Sequence, residues 1–359
     1  MLNVGIAICQ NATNHNPFAI GYTPYATRHM PPSIISLTFP PVLYFVLKKY
    51  ARLAIRIYCR RIIINEPKWL KSEGPLLLAC NHPNSFLDGI ILTTLFEAPV
   101  YSLARGDAFN KGWADRLLRK LQLLPVYRTS EGVENLGHNY ATFDACRETF
   151  LRNGIVLIFS EGRCENEWHL RPLKKGTARL AVTSWEKGIP LKVVPTVLNY
   201  SSFRKFGKEV HVCFGAPIEA ASILAEDSEG KQLLTFNKVL HDALSTLVYE
   251  IHPKDRKRIR QIFSIKTGPS FYFLLLPALT GFLLHAPLFY LCKLLAWRYF
   301  DSGHYDSVFT GYLLLLYPFY LVLLVCMTFS FAGWWSLMLI PLSLFTAWAA
   351  VQVKYQADI

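Results

Sequence analysis

The rhythm of hydrophobic and polar positions changes three times along this chain. From residue 43 to 70, the apolar residues Tyr44, Phe45, Leu47, Leu53, Ile55, Ile57 and Ile62 to Ile64 mix with Lys48, Lys49, Arg52, Arg56, Arg60 and Arg61. That mixture suits a helix lying in a membrane interface, with an amphipathic core helix as the alternative. From 71 to 252, short apolar runs alternate with helical periodicity. Strands are expected at 75–80, 99–104, 125–128, 155–160, 191–199 and 209–214. Helices are expected at 86–96, 110–123, 136–152, 174–187 and 230–251, with a loop and short helix at 219–230. The alternation predicts an α/β fold, a layered mixed sheet flanked by helices.

Beyond residue 271 charge almost disappears. Lys293, Arg298, Asp301 and Asp306 are the only four charged residues between Phe271 and Ala350. Phe271 to Cys292 is an uncharged run of 22 residues, and Ser307 to Ala350 one of 44. A membrane helix needs about 20 apolar residues. The first run reads as one span, kinked at Pro277 and Pro287. The second, about 66 Å long as a helix, reads as two spans with a turn near Ser330 to Gly333. Trp297, Tyr299, Trp334, Trp335 and Trp348 sit at the rims, as in an interfacial belt. Three crossings are therefore expected. Two crossings, or a re-entrant first segment, are the alternatives. A linker at 253–270 carries Lys254, Arg256, Lys257, Arg258, Arg260 and Lys266, which marks the cytoplasmic side and attracts anionic lipid. The α/β domain should then face the cytoplasm.

Residues 1–42 read as a poorly defined extension without a signal-peptide pattern, and Met30 reads as an alternative start. Hydrophobic residues make up 52% of the 359-residue chain, and its net charge is +13. The basic runs lack the aromatic interleaving that nucleic acid recognition uses, so that partner is set aside. The eight cysteines are scattered without zinc spacing, which predicts a reduced domain with no metal.

The candidate chemistry begins where the apolar run Leu76 to Cys80 ends, in Asn81-His82-Pro83-Asn84-Ser85-Phe86-Leu87-Asp88. A base and its orienter could stand here, His82 taking a proton from an alcohol and Asp88 holding the ring. On one unbroken helix a separation of six residues puts two side chains about 240° apart, so the chain must turn, and Pro83-Asn84 supplies the turn. The competing reading makes Ser85 and Asp88 a capping box and His82 a loop histidine. Polar residues also gather beyond other strands: Arg128, then Glu161-Gly162-Arg163, then Lys174 and Lys175 opening a helix, a corner suited to phosphate.

The order of these blocks resembles the glycerolipid acyltransferase superfamily, which includes glycerol-3-phosphate and lysophosphatidic acid acyltransferases. Its four blocks match His82 and Asp88; Arg128; Phe159 to Arg163 with Pro172 to Gly176; and the apolar strand Val193-Val194-Pro195-Thr196-Val197. The likeness covers roughly 75–215. The commoner spacing has four residues between His and Asp; here there are five, and Asn84 is the extra one. Ser160, Arg163 and Cys164 stand where the family usually has Pro, Thr and Arg, which puts the guanidinium one position early.

The resemblance implies an O-acyltransferase in phospholipid synthesis. The donor would be a fatty acyl thioester on coenzyme A or acyl carrier protein, a co-substrate, with no further cofactor. The acceptor would be glycerol-3-phosphate or a lysophospholipid such as lysophosphatidic acid. It implies His82 and Asp88 as catalytic pair, Arg128, Glu161, Gly162, Arg163, Lys174 and Lys175 as acceptor and phosphate site, and Pro195 as acyl-chain lining. Two alternatives are an acyltransferase for a phosphate-free lyso-aminolipid and a non-catalytic lipid-binding membrane protein of the same fold.

Overall fold

The computed structural model describes residues 42–127, 137–263, 269–299 and 304–357. The strands are β1 (Cys59–Ile64), β2 (Leu76–Cys80), β3 (Val100–Arg105), β4 (Leu123–Val126), β5 (Ile155–Phe159), β6 (Lys192–Tyr200) and β7 (Lys208–Phe214). Helices α1 (Val42–Tyr58), α2 (Phe86–Leu95), α3 (Gly112–Lys120), α4 (His138–Leu151), α5 (Lys175–Glu186), α6 (Ala220–Leu224), α7 (Glu229–Ser245) and α8 (Arg256–Ile262) surround them. The chain continues with α9 (Ser270–Tyr299), α10 (Tyr305–Ala332) and α11 (Leu339–Ala357).

The seven strands form one mixed sheet in the order β1-β7-β6-β2-β5-β3-β4, parallel except for the β6–β7 pair. β2 lies between β5 and β6 and is buried at all five residues, which explains its unbroken apolar run. From β2 the chain moves past β5 to β3; from β5 it moves back past β2 to β6. Right-handed crossovers then put α2 and α5 on opposite faces. The carboxyl ends of two such adjacent strands, β2 and β5, are the usual place for a ligand in open α/β sheets. One face is covered by α1 and α2, through Ile55, Leu87, Ile91 and Phe96. On α5 and α7, Trp185 and Phe236 meet at 5.9 Å.

Two expectations are corrected. The helix expected over 43–70 ends at Tyr58, and residues 59–64 form the edge strand β1 beside β7. Ile62-Ile63-Ile64 is a β-branched run, and the arginines before it hid its strand character. On α1, Lys48 and Arg52 reach carbonyls near the end of α2: Lys48 Nζ lies 2.9 Å from Ala98 O, and Arg52 Nε 2.6 Å from Thr94 O. These cations satisfy orphaned helix-end acceptors. The fourth strand ends at Val126 rather than 128.

Phe271–Arg298 and Tyr305–Lys354 are long and apolar enough to cross a membrane. The latter stretch turns at Gly333, whose φ of +53° suits glycine, as expected. Tyr272, Phe273, Leu276, Phe319, Phe331, Trp334 and Trp335 on and beside these helices are exposed. α9 and α10 run antiparallel: His285 Nε2 meets Tyr317 Oη at 3.0 Å, and the Phe289 and Phe309 rings lie 5.2 Å apart. The first turn of α10 is buried in the α/β domain, with Asp306 only 1% exposed. Near the end of α11, Gln352 Oε1 accepts from Arg60 Nε of β1 at 3.3 Å.

Candidate functional site

The site is built at the carboxyl ends of β2 and β5. Asn81 extends β2 and clamps it to β6: its Oδ1 accepts from Leu198 N at 2.9 Å, and its Nδ2 donates to Leu198 O at 3.2 Å. An amide side chain mimics a peptide unit there, where a purely apolar residue could not. His82 follows, its ring stacked on Phe159 of β5 with centroids 3.9 Å apart and planes 13° apart.

The chain then turns through Pro83 and Asn84 into α2. Ser85 adopts φ +53° and ψ −141°, a strained conformation for a residue other than glycine. Its side chain makes no capping bond. The capping-box reading is therefore replaced: Asp88 supports the turn instead, its Oδ2 accepting from Asn84 N at 2.8 Å. The same oxygen lies 2.9 Å from His82 Nδ1. Asp88 is fully buried, and Tyr200 Oη donates to its Oδ1 at 2.6 Å. Burial, then Asp88 beside it, pushes the Tyr200 phenol well above its ordinary range, so it stays a donor.

Acceptance by Asp88 sets the histidine tautomer: the proton sits on Nδ1 and Nε2 is bare. Nε2 has no hydrogen-bond partner among the described residues. The imidazole is 12% exposed at its side chain, enough for a substrate proton to reach it. This is a histidine with a buried orienter on one nitrogen and a free lone pair on the other, the arrangement of a general base.

Glu161, beyond β5, is 4% exposed. Its Oε2 accepts from His82 N at 3.3 Å and its Oε1 from Arg171 N at 3.4 Å. It thereby ties the histidine's backbone to the segment that leads into α5. Burial outweighs these two donors and raises its carboxyl to about 7, with Asp88 adding repulsion. Gly162 has φ +71°, and a Cβ there would lie 2.8 Å from Lys174 Cγ, so the lysine stem crosses the glycine. Lys174 N donates to Ser160 O at 2.8 Å, and Thr177 Oγ1 to Ser160 Oγ at 3.0 Å. The third block is thus one unit. Lys174 and Lys175 are exposed and carry no ion-pair partner among the described residues.

Arg163 stands apart. Its side chain is 58% exposed and reaches Glu165 at 3.7 Å. Cys164, at the position where a guanidinium is usual in the resembled family, accepts from Ser85 N at 2.8 Å, and burial pushes its thiol up to about 12. A half-buried thiol that stays protonated is a poor nucleophile. Arg128 lies outside the described residues. Pro195 is buried on β6, its carbonyl accepting from Gly215 N at 2.8 Å. Its missing N–H therefore falls where the β6–β7 pairing ends, and no ladder bond is lost. A Cβ on Gly215 would come within 3.3 Å of Pro195 Cβ, so tight packing accounts for the position.

The residues that sequence reasoning missed here are Asn81, Tyr200, Asp306 and Ser307. Tyr200 lies 112 positions from its partner, beyond any local pattern. Among the described residues no cluster of His, Cys, Asp and Glu could hold a metal ion.

Residues 61–199 match the family model described as Acyltransferase. No curated protein matches the sequence. Among solved structures, the chain resembles the 1-acyl-sn-glycerophosphate (LPA) acyltransferase PlsC from Thermotoga maritima, with 14% identity and a TM-score of 0.40. That likeness covers 56% of this chain and 80% of the other.

Proposed function

We propose that the chain, whose residues 61–199 match the family model described as Acyltransferase, is a membrane-bound O-acyltransferase. It moves a fatty acyl group from a thioester, on coenzyme A or acyl carrier protein, to the hydroxyl of lysophosphatidic acid or glycerol-3-phosphate. The observation that carries the reading is the His82–Asp88 pair at 2.9 Å with Nε2 free.

His82 Nε2 takes the proton of the acceptor hydroxyl as its oxygen attacks the thioester carbonyl. Asp88 stabilises the imidazolium and holds its plane, while the stack on Phe159 limits rotation. The tetrahedral intermediate then expels the thiolate, and the imidazolium returns its proton to that sulfur. Lys174 and Lys175, at the start of α5, supply charge for the acceptor's phosphate and fix the attacking hydroxyl. Glu161 acts as a brace for His82 rather than as a proton carrier, since both its oxygens are engaged by backbone donors.

One observation favours a second acceptor class. Arg163 is paired at the surface and Cys164 replaces a guanidinium, which leaves less positive charge at the head-group corner. A phosphate-free lyso-aminolipid suits such a corner. Purified protein, labelled acyl-CoA and acyl-ACP, and a panel of acceptors read by mass spectrometry decide between them. Transfer to lysophosphatidic acid or glycerol-3-phosphate supports the phosphate reading; transfer only to a lyso-aminolipid replaces it; transfer to none rejects both.

The membrane segments suit a lipid substrate and product, neither of which leaves the bilayer readily. In the arrangement we infer, α10 leaves the domain side and α11 returns to it, with the domain facing the cytoplasm. The burial of Asp306 and the Gln352–Arg60 contact support this order.

A further inference from the structure

The extra residue between His82 and Asp88 has a use that is visible only with α10 in place. Asn84 is 1% exposed and three of its polar groups are engaged. Its N–H donates to Asp88 Oδ2 at 2.8 Å. Its side-chain amide donates to Asp306 Oδ2 at 2.8 Å. Its carbonyl accepts from Ser307 Oγ at 2.7 Å, and that hydroxyl accepts in turn from Leu87 N at 3.2 Å. The first turn of α10 thus grips both ends of the turn that carries the catalytic pair. One helical turn further along, Gly311 admits the Phe86 ring, which a Cβ would approach to 3.1 Å.

Asp306 is itself held from three sides. Tyr58 Oη and Lys208 Nζ both donate to it, and Lys208 is fully buried between the rings of Tyr58 and Tyr200, at 5.2 and 5.9 Å. Tyr200 is the residue that donates to Asp88. Two buried carboxylates, Asp88 and Asp306, are therefore joined by two routes: one through Asn84, the other through Lys208 and Tyr200. A buried ion pair gives little net stability, and its usual value is in fixing one arrangement. Here it fixes α10 against a loop that Ser85 leaves strained.

We propose that Asn84, Asp306 and Ser307 form a positioning latch, through which the apolar helix α10 holds the His82–Asp88 loop in its working geometry. The inference rests on the acyl-transfer reading, with Asn84 and Asp306 acting through Asp88 and not on substrate. Release of α10 frees Asn84, the turn relaxes about Ser85, and the imidazole loses its orienter.

The test is a set of variants of the full chain in lipid nanodiscs: Asn84→Ala, Ser307→Ala and Asp306→Asn. Each is expected to lower kcat ~10-fold or more, since a misplaced base loses most of its contribution, while both KM values stay within about twofold. Variants within twofold of wild-type kcat overturn the latch. If Asp306→Asn does not accumulate, because it leaves the buried Lys208 without its carboxylate, the other two variants carry the test. A second readout does not depend on turnover: diethyl pyrocarbonate modification of His82, followed by peptide mass spectrometry. Faster modification in the variants supports the latch even if no acyl transfer is found. Equal rates throughout overturn it even if wild-type activity is high.

Discussion

Replacing Glu161 by Gln should change how stability depends on pH. Glu161 is buried, and its carboxyl is raised from an ordinary 4.5 to about 7. Between those values the folded protein keeps a proton that the unfolded chain has released. Stability therefore falls as pH rises through the window; the contribution is whole below 4.5 and gone above about 7. At about 1.4 kcal/mol per unit, the interval corresponds to roughly 3 kcal/mol. Gln removes this titration. It also places an NH₂ against one of the two backbone donors, from His82 or Arg171, at a pH-independent cost of about 1–3 kcal/mol. The assay is denaturant or thermal unfolding of detergent-solubilised protein at half-unit steps from pH 5 to 8, wild type against Glu161→Gln. The variant should be the less stable at pH 5 and gain on wild type through pH 7, after which the difference levels off. A difference that stays constant across the window would refute the reasoning, because it would mean that ionising Glu161 costs the fold nothing.

Tyr200→Phe deletes the hydroxyl donor at Asp88 Oδ1 and leaves a buried carboxylate oxygen without it; a loss of about 1.5–3 kcal/mol is expected in unfolding measurements, and a loss under 0.5 would show that the bond does not matter. Lys174→Ala and Lys175→Ala should raise the acceptor KM several-fold with the donor KM unchanged, whereas Arg163→Ala, already paired with Glu165 at the surface, should change the acceptor KM less than twofold. For topology, cysteines introduced at Lys111 and Ser302 should react with an impermeant maleimide from the same membrane face, and one at Ser330 from the other. Labelling of Ser302 from the face opposite Lys111 would favour three crossings.

Local signals carried the sheet. The apolar run Leu76 to Cys80 is the buried strand β2, and the polar residues just past it hold the His82–Asp88 pair. β1 was concealed because Arg60 and Arg61 break the apolar run that Ile62 to Ile64 complete. Asp88 was placed beside His82 by its nearness in sequence, but Tyr200, its second partner, belongs to β6, which lies next to β2 in the sheet and 112 positions from Asp88 in the chain. Asp306 did announce itself, as an acid at the edge of an apolar stretch, yet its partners Tyr58, Asn84 and Lys208 lie on three other elements. Arg163, grouped with the site by its spacing, reaches Glu165 two positions on, at the surface. Side chains held by partners far along the chain leave no periodic trace, and those are the ones that tune this site.

The central claim is that His82 is the base for acyl transfer. Its most direct measurement is the turnover of His82→Ala with labelled acyl thioester and the best acceptor, in protein whose folding and membrane retention match wild type. The account predicts a loss of ~100-fold or more, the usual contribution of a general base. A folded variant that keeps a tenth or more of wild-type turnover contradicts it.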